Sequence, residues 1–379
     1  MTQERIYLDY AATAPLRPEA REAMLRYLDD TAYNPSSLHR EGRCAKTALE
    51  EARARIADVL GAKREEIVFT ANGSEANALI VRGVASLHPG GHLLSCAIEH
   101  HSVLRNLEAL GTYGCTTTLL GVDREGLVDP ERLAASLRHD TVLASIMYAN
   151  NEIGTIEPIA PLASIARRRG VLFHTDAVQA PGWLRLDVNA LGVDAMSLSA
   201  HKFGGPHGVG ILYRRSGTAL VPLVSGGGQE RGVRSGTEDV AAVAAAAVAL
   251  EIAESQRVEV AGRVAELRTR LEHSVLERIP RSSVNASGAP RLPNVTSLSF
   301  EGVAAEALAV RLDLEGVAAS PGSACTSGVA EASHVIAALG VADARSALRL
   351  SLGAATTRKE IERVAALLPA VVFELRQGE

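Results

Sequence analysis

Ser199-Ala200-His201-Lys202-Phe203-Gly204-Gly205-Pro206 decides how this chain reads. The run before it, Asp194-Ala195-Met196-Ser197-Leu198, alternates apolar and polar residues as a strand does, and Gly-Gly-Pro ends any regular element in a tight loop. Lys202 is therefore placed at the exit of a sheet, where α/β folds bind their ligands. Upstream, Val171-Leu172-Phe173-His174-Thr175-Asp176 reads as a strand ending in an acid, with Gln179 three residues on. Taken singly, these are a surface lysine and a helix-capping aspartate. Together they suit pyridoxal phosphate: the amine holds the aldehyde as a Schiff base, and the acid keeps the pyridine nitrogen protonated so that the ring takes up electrons.

Outward from that stretch, strand and helix alternate with short turns. Strands are predicted at 67–70, 92–97, 116–120, 142–148, 171–174, 195–199 and 208–213. Helices are predicted over 18–28, 45–60, 102–110, 130–137 and 160–168, with another after Gly73 to about Leu87. The fold class is α/β, a doubly wound and mostly parallel sheet. Beyond Gly226-Gly227-Gly228 the composition changes. A helix-rich stretch covers 239–279, in which Val260, Val264, Leu267, Leu271 and Val275 step by three and four. Val295 to Phe300 then alternates like an edge strand. The predicted domains are a large one over 15–239 and a smaller α/β one over 240–379, with 1–14 packing near the smaller.

A length of 379 residues fits two such domains, and 47% hydrophobic against 22% charged residues is an ordinary globular balance. A net charge of −5 without a basic stripe, and only 3% aromatic residues, argue against nucleic acid as a partner. The start lacks the basic-then-apolar order of a signal peptide, and the apolar run from Val240 to Leu250 is too short to span a bilayer, so no membrane role is expected. Cys44, Cys96, Cys115 and Cys325 form no CxxC pair and no zinc-like spacing, which fits a reducing cytoplasm.

Several other stretches carry candidate chemistry. Gly73-Ser74-Glu75, between a strand and a helix, offers first-turn amides to an anion, with Ser74 as cap and donor. In Glu99-His100-His101-Ser102, one histidine can lie flat on an aromatic ring and shuttle protons. Asn150-Asn151-Glu152-Ile153-Gly154 is a polar loop whose amides can bond a phenolic oxygen. In the run from Gly226 to Glu238, glycines allow close approach while Arg and Thr supply donors; Ser235 and Glu238 also form a capping box. Arg349 faces away from Leu348, Leu350 and Leu352 on one strand and suits capture of a carboxylate. Ser320-Pro321-Gly322-Ser323-Ala324-Cys325-Thr326-Ser327-Gly328 surrounds a cysteine with small residues, which favours an accessible nucleophile.

With these motifs together, the chain resembles the cysteine desulfurases of the NifS/IscS-like group, in the class V aminotransferases of pyridoxal phosphate fold-type I. The likeness runs from Tyr7-Leu8-Asp9-Tyr10 to Arg349 and is most specific at His201-Lys202, Arg231-Gly232-Val233-Arg234-Ser235-Gly236-Thr237 and Gly322-Ser323-Ala324-Cys325-Thr326-Ser327. The resemblance implies that Lys202 forms the Schiff base, Asp176 pairs with the pyridine nitrogen and His100 stacks on the ring. It further implies that Asn151 and Gln179 bond the ring oxygen. Gly73, Ser74, Ser199 and His201 would hold the phosphate, joined by Thr237 from the second subunit of a homodimer. Arg349, with Asn34 nearby, would clamp the carboxylate of L-cysteine, and Cys325 would take its sulfur as a persulfide for an acceptor protein such as an iron–sulfur scaffold.

Three other readings compete. A selenocysteine lyase or another class V enzyme shares the cofactor set but makes less use of the Cys325 loop. His174-Thr175-Asp176, with His201 or His207, has the form of an iron facial triad, which would leave Lys202 and the glycine loops without a role. A sulfur-transfer scaffold without catalysis would leave the cofactor residues unexplained.

Overall fold

Short apolar runs and amphipathic stretches alternate along the first half of the chain, and each becomes a strand or a helix of one layered unit. The computed structural model describes residues 5–28, 33–322 and 332–377. The chain opens with β1 (Ile6–Tyr7), α1 (Pro18–Leu25) and α2 (Arg40–Leu60). It continues through β2 (Ile67–Thr70), α3 (Gly73–Ala85), β3 (His92–Cys96), α4 (His101–Gly111), β4 (Thr116–Leu120), α5 (Pro130–Ser136) and β5 (Thr141–Ser145). Next come α6 (Ile159–Arg168), β6 (Leu172–Asp176), α7 (Val188–Leu191), β7 (Ala195–Ser199) and β8 (Gly210–Arg214).

Strands β2 to β8 form one seven-stranded sheet in the order β2-β8-β7-β6-β5-β3-β4. The ladders from β7 to β4 are parallel, and β8 runs antiparallel to both of its neighbours. Strands such as β7 are buried throughout, as expected when helices cover both faces. Helix α2 shows why the local pattern suffices: Ala45, Leu49, Ala52, Ile56 and Leu60 form one buried stripe, and Gly61 stops it at φ 65°, a left-handed conformation that strains a side chain.

The second unit holds α8 (Val240–Ser255), α9 (Arg257–Arg278), β9 (Ser282–Val284), β10 (Val295–Phe300), α10 (Ala305–Leu314), β11 (Val317–Ala318), β12 (Ser320–Pro321), α11 (His334–Ala338), β13 (Ala347–Ser351) and α12 (Arg358–Gln377). Its sheet has the order β12-β13-β10-β9, and β1 pairs with β11 in parallel. Ile6 and Leu8 are buried in the second core with Val264, Leu271, Phe300 and Leu348. Helix α8, however, buries Ala242, Ala246 and Leu250 in the core of the large sheet. Helix α9 supplies Val264, Leu267, Leu271 and Val275 to the second core, while the alanine-rich α8 lets α1 and α2 pack closely on it.

Three local expectations are corrected. β10 is not an edge: β13 and β9 flank it, and all six of its residues are buried. Its polar positions alternate because Asn285 Nδ2 donates to Ser297 Oγ and Ser299 Oγ, each at 2.9 Å, not because one side meets water. The cap of α3 is Asn72, which accepts from Glu75 N at 2.8 Å, not Ser74. The cap of α8 is Asp239, which accepts from Ala242 N at 2.9 Å, rather than the Ser235/Glu238 box.

The glycine-rich loop before α8 is tied down by a buried ion pair. Arg53, 2% exposed, donates to Glu230 through Nη2 at 2.7 Å and Nη1 at 2.8 Å, and Glu230 also accepts from Phe69 N at 2.8 Å. These bonds hold Glu230 and Arg231 at positive φ, 48° and 56°. Removing one partner leaves a buried charge, which costs about 3–5 kcal/mol. We therefore expect Glu230→Ala to lower the guanidinium midpoint by that equivalent; a loss below ~1 kcal/mol would contradict the role of the pair.

Candidate active site

The parallel strands of the large sheet end on one side, and their exits build a cavity of about 310 Å³. Gly73 and Ser74 follow β2, His100 follows β3, Asn151 follows β5, and Asp176 ends β6. Ser199, His201 and Lys202 follow β7. Arg349 on β13 closes the cavity from the second core. Nine sequence-predicted residues thus line one space with Arg349: Gly73, Ser74, His100, Asn151, Asp176, Gln179, Ser199, His201 and Lys202 come from the large sheet's side, as the pattern of strand ends requires.

Lys202 ends a short 3-10 turn, Ala200–Lys202, and its Nζ donates to Ala11 O at 2.6 Å and Ala12 O at 2.7 Å. Gln179 Nε2 donates to the same Ala11 carbonyl at 2.9 Å. Asp176, 4% exposed, accepts from Val178 N at 3.0 Å and from Asn77 Nδ2 at 2.6 Å. Asn77 also donates to Ser102 Oγ at 2.8 Å. Asn77 and Ser102 are site residues that the sequence reading does not pick out. The available signal is spacing: Asn77 lies one helical turn beyond Gly73, on the same face.

His100 caps α4. Its Nδ1 accepts from Ser102 N at 3.1 Å and lies 2.7 Å from Ser102 Oγ, which leaves Nε2 as the protonated nitrogen of the neutral ring. Burial pushes its pKa down, Lys202 and His101 add to that, and Asp176 opposes it. His201 Nδ1 is 3.1 Å from Thr13 Oγ1, and its ring stacks on His207. Burial, then Lys202 and His207, lower its pKa to about 4, so both site histidines are neutral at neutral pH.

Gly73 is a tight fit: a Cβ there would lie 2.9 Å from Val178 Cγ2 and 3.1 Å from Ser199 Cβ. Its amide points to Ser199 Oγ at 3.3 Å, beside the first turn of α3. Open amides at a helix start, two serines and a neutral histidine suit a phosphate, while Asp176 in the same cavity suits a protonated ring nitrogen. The donor set and the glycine cradle fit pyridoxal phosphate.

Arg349 is 4% exposed. Nη2 donates to Asp9 Oδ1 at 2.8 Å and Nη1 to Asn151 O at 3.1 Å, while its buried Nε has no partner among the described residues. The two asparagines of the polar loop differ. Asn150 turns inward, donating to Ile98 O and accepting from Glu152 N and Ile153 N, so only Asn151 reaches the cavity. The loop arginines are also engaged: Arg234 binds Glu75 at 2.9 Å, and Arg231 lies 3.9 Å from Glu50.

Two expected residues are not brought to the cavity. Asn34 is exposed, and its Oδ1 accepts from Ser36 N at 2.9 Å instead of approaching Arg349. Thr237 is exposed and does not line the cavity of its own chain. Cys325 lies outside the described residues. The facial-triad reading fails at His174, whose Nδ1 meets Ser145 Oγ at 2.8 Å and whose Nε2 meets Ser197 Oγ at 2.9 Å. Both ring nitrogens are taken, and the described residues contain no cluster of three or more metal-ligating side chains.

The family model for aminotransferase class V matches residues 6–364. The chain belongs to the aminotransferase class V family. A class V relative from Dictyoglomus turgidum, cysteine desulfurase IscS, is 46% identical over 99% of this chain and 96% of its own length. A solved NifS-like protein superposes with a TM-score of 0.91 at 34% identity, covering 98% of this chain and all of the other. A second solved structure, SspA in complex with cysteine, gives a TM-score of 0.82 at 34% identity over 92% of this chain and 98% of its own.

His174 also makes the class V core acid-sensitive. Burial lowers its pKa from 6.5 to about 3. The unfolded chain thus binds a proton that the folded one refuses, and stability present above pH 6.5 is lost as pH falls towards 3. We expect the melting temperature to fall through that window, and His174→Gln to flatten the slope. An unchanged slope in the variant would contradict this assignment.

Proposed function

We propose that this chain is a pyridoxal phosphate-dependent cysteine desulfurase, converting L-cysteine and the Cys325 thiol into L-alanine and a Cys325 persulfide. One observation carries the proposal: a buried arginine whose Nε has no partner among the described residues shares a single cavity with Lys202 and Asp176. A cation on one wall selects a carboxylate, and a lysine–aspartate pair on the other serves amino-acid chemistry at Cα.

When bound, the cofactor supplies an electron sink that acidifies the Cα proton of an amino acid. Lys202 would hold it, and Asp176 would bind the proton of the pyridine nitrogen, its second oxygen already fixed by Asn77. Gly73, Ser74, Ser199 and His201 would hold its phosphate, with Thr237 contributed by a second copy. Asn151 and Gln179 would bond its ring oxygen. Arg349 binds the substrate carboxylate, oriented for it by Asp9. Lys202 Nζ then takes the Cα proton. His100 would carry protons between these groups, its neutral ring taking one up and passing it on. Cys325, as thiolate, attacks the substrate sulfur; the Cβ–S electron pair stays on carbon, which is protonated to give alanine.

The homodimer belongs to this reading. Val221, Leu223 and Val224 are exposed beside the loop that carries Thr237, and an apolar strip next to a site residue fits contact with a second copy. The persulfide would pass to an acceptor protein such as an iron–sulfur scaffold. No helix among the described residues is long and apolar enough to cross a membrane. Cys44, Cys96 and Cys115 are unpaired, which supports a cytoplasmic setting.

The test adds L-cysteine to the holoenzyme and measures alanine, sulfide and protein persulfide. Arg349→Ala should lower kcat/KM about a hundredfold, as expected for a truncated buried charge contact. Cys325→Ser should still change the cofactor spectrum with L-cysteine but release no alanine. Alanine at the parent rate from Cys325→Ser would overturn the role of that thiol.

A further inference from the structure

A second cavity, of about 240 Å³, adjoins the catalytic one. Gln179 and Lys202 line both, and these two side chains are tied to one carbonyl, since Gln179 Nε2 and Lys202 Nζ each donate to Ala11 O. The rest of its wall is drawn from three parts of the chain. Tyr10 comes from the N-terminal segment, Trp183 and Phe203 from the large sheet's side, and Val260 and Asn294 from the second unit. Tyr10 is seated on bare backbone: its ring leaves no room for a Cβ on Gly353, and it meets Tyr7 edge-on with centroids 5.1 Å apart.

The lining says what the cavity would hold. Three aromatic rings face a space that no acidic or histidine side chain lines. Its cations are already engaged by neutral acceptors: Arg17 Nε donates to Phe203 O at 3.1 Å and Arg17 Nη1 to Gln256 Oε1 at 3.3 Å, while Lys202 holds Ala11 O and Ala12 O. A charged ligand would lose its hydration here without a dedicated counter-charge, whereas a neutral ring would bury apolar surface against other rings.

One buried polar atom is left over. Asn294 is 2% exposed, and its Nδ2 donates to Leu352 O at 3.4 Å, but its Oδ1 has no partner among the described residues. A buried carbonyl oxygen without a donor is costly, and an O–H or N–H brought into the cavity would satisfy it. The size agrees: a cavity of about 150 Å³ already holds benzene, so this one has room for a ring and a substituent.

We propose that this cavity is a second small-molecule site, which takes a neutral ligand with one aromatic ring and an O–H or N–H that donates to Asn294 Oδ1. Because both units contribute to its wall, an occupant binds the arrangement in which they meet and stabilises it. The site stands independently of the desulfurase reading.

The experiment uses the protein loaded with its cofactor and two probes of similar shape, phenol and toluene. Trp183 is the only tryptophan of the chain, so its fluorescence reports directly on the cavity. Phenol should saturate that signal with a Kd below about 1 mM and raise the melting temperature. No saturation in the parent would overturn the site. Asn294→Leu keeps the side-chain size and removes the acceptor. It should lower the ratio of phenol to toluene affinity by about fivefold or more, and an unchanged ratio would overturn the assignment to Oδ1. Val260→Phe fills the space from the second unit and should abolish saturation by both probes, with the cofactor absorbance as in the parent. Saturation that persists in Val260→Phe would put the ring elsewhere and overturn the site, whether or not Asn294→Leu folds. A protein that turns over no L-cysteine would sink the desulfurase reading and leave these outcomes as they are.

Discussion

Residues Asp9 to Thr13 hold the cations of two different cores. The carbonyls of Ala11 and Ala12 receive Lys202, which belongs to the large sheet, and the Asp9 carboxylate receives Arg349, which belongs to the second. The segment is itself fixed by Tyr7, whose hydroxyl donates to Asp9 O and Thr13 O, and by Ala11 N donating to Ser351 Oγ. Neither cation is placed by its own strand alone. A lysine in a turn and an arginine on a strand face each other across one cavity because the N-terminal segment binds both. The remaining groups follow from the sheet, whose parallel strands deliver Gly73, His100, Asn151, Asp176 and Ser199 to one side.

The electrostatics of the cavity fit that arrangement. Burial would make every ionised group costly, and the site keeps charge only where a partner is at hand. Arg349 has Asp9, and Asp176 has a backbone amide and Asn77. The histidines are kept neutral by burial. Behind them Glu99 is fully buried, with Cys96 Sγ and Met147 N on one oxygen, and burial followed by the charge of Asp176 drives its pKa well up.

Much of this is legible in the sequence. Lys202 announces itself because a strand pattern breaks at Gly204-Gly205-Pro206, and Asp176 because a second strand ends in an acid. Such signals are local, and the sheet exit turns them into neighbours. What the pattern hides is partnership across elements. Asn150 and Asn151 look alike in a polar loop, yet only the turn decides that one caps it and the other faces the cavity. The strand Val295 to Phe300 looks half wet because its serines alternate, whereas Asn285, just past the end of the neighbouring strand, meets them. The move of α8 onto the first core depends on small side chains meeting two distant helices, a packing fact with no periodic signature. Asn34 carries no local cue that separates a turn-capping amide from a substrate contact.

The central claim is that the cavity is built around Lys202 to hold pyridoxal phosphate for work on L-cysteine. The most direct measurement is the absorbance and L-cysteine turnover of Lys202→Ala, prepared with the cofactor. The account predicts loss of the visible absorbance of lysine-bound cofactor and loss of alanine production, with the melting temperature close to the parent's, because a lysine in a turn contributes little to the core. Turnover of L-cysteine at the parent rate would contradict it.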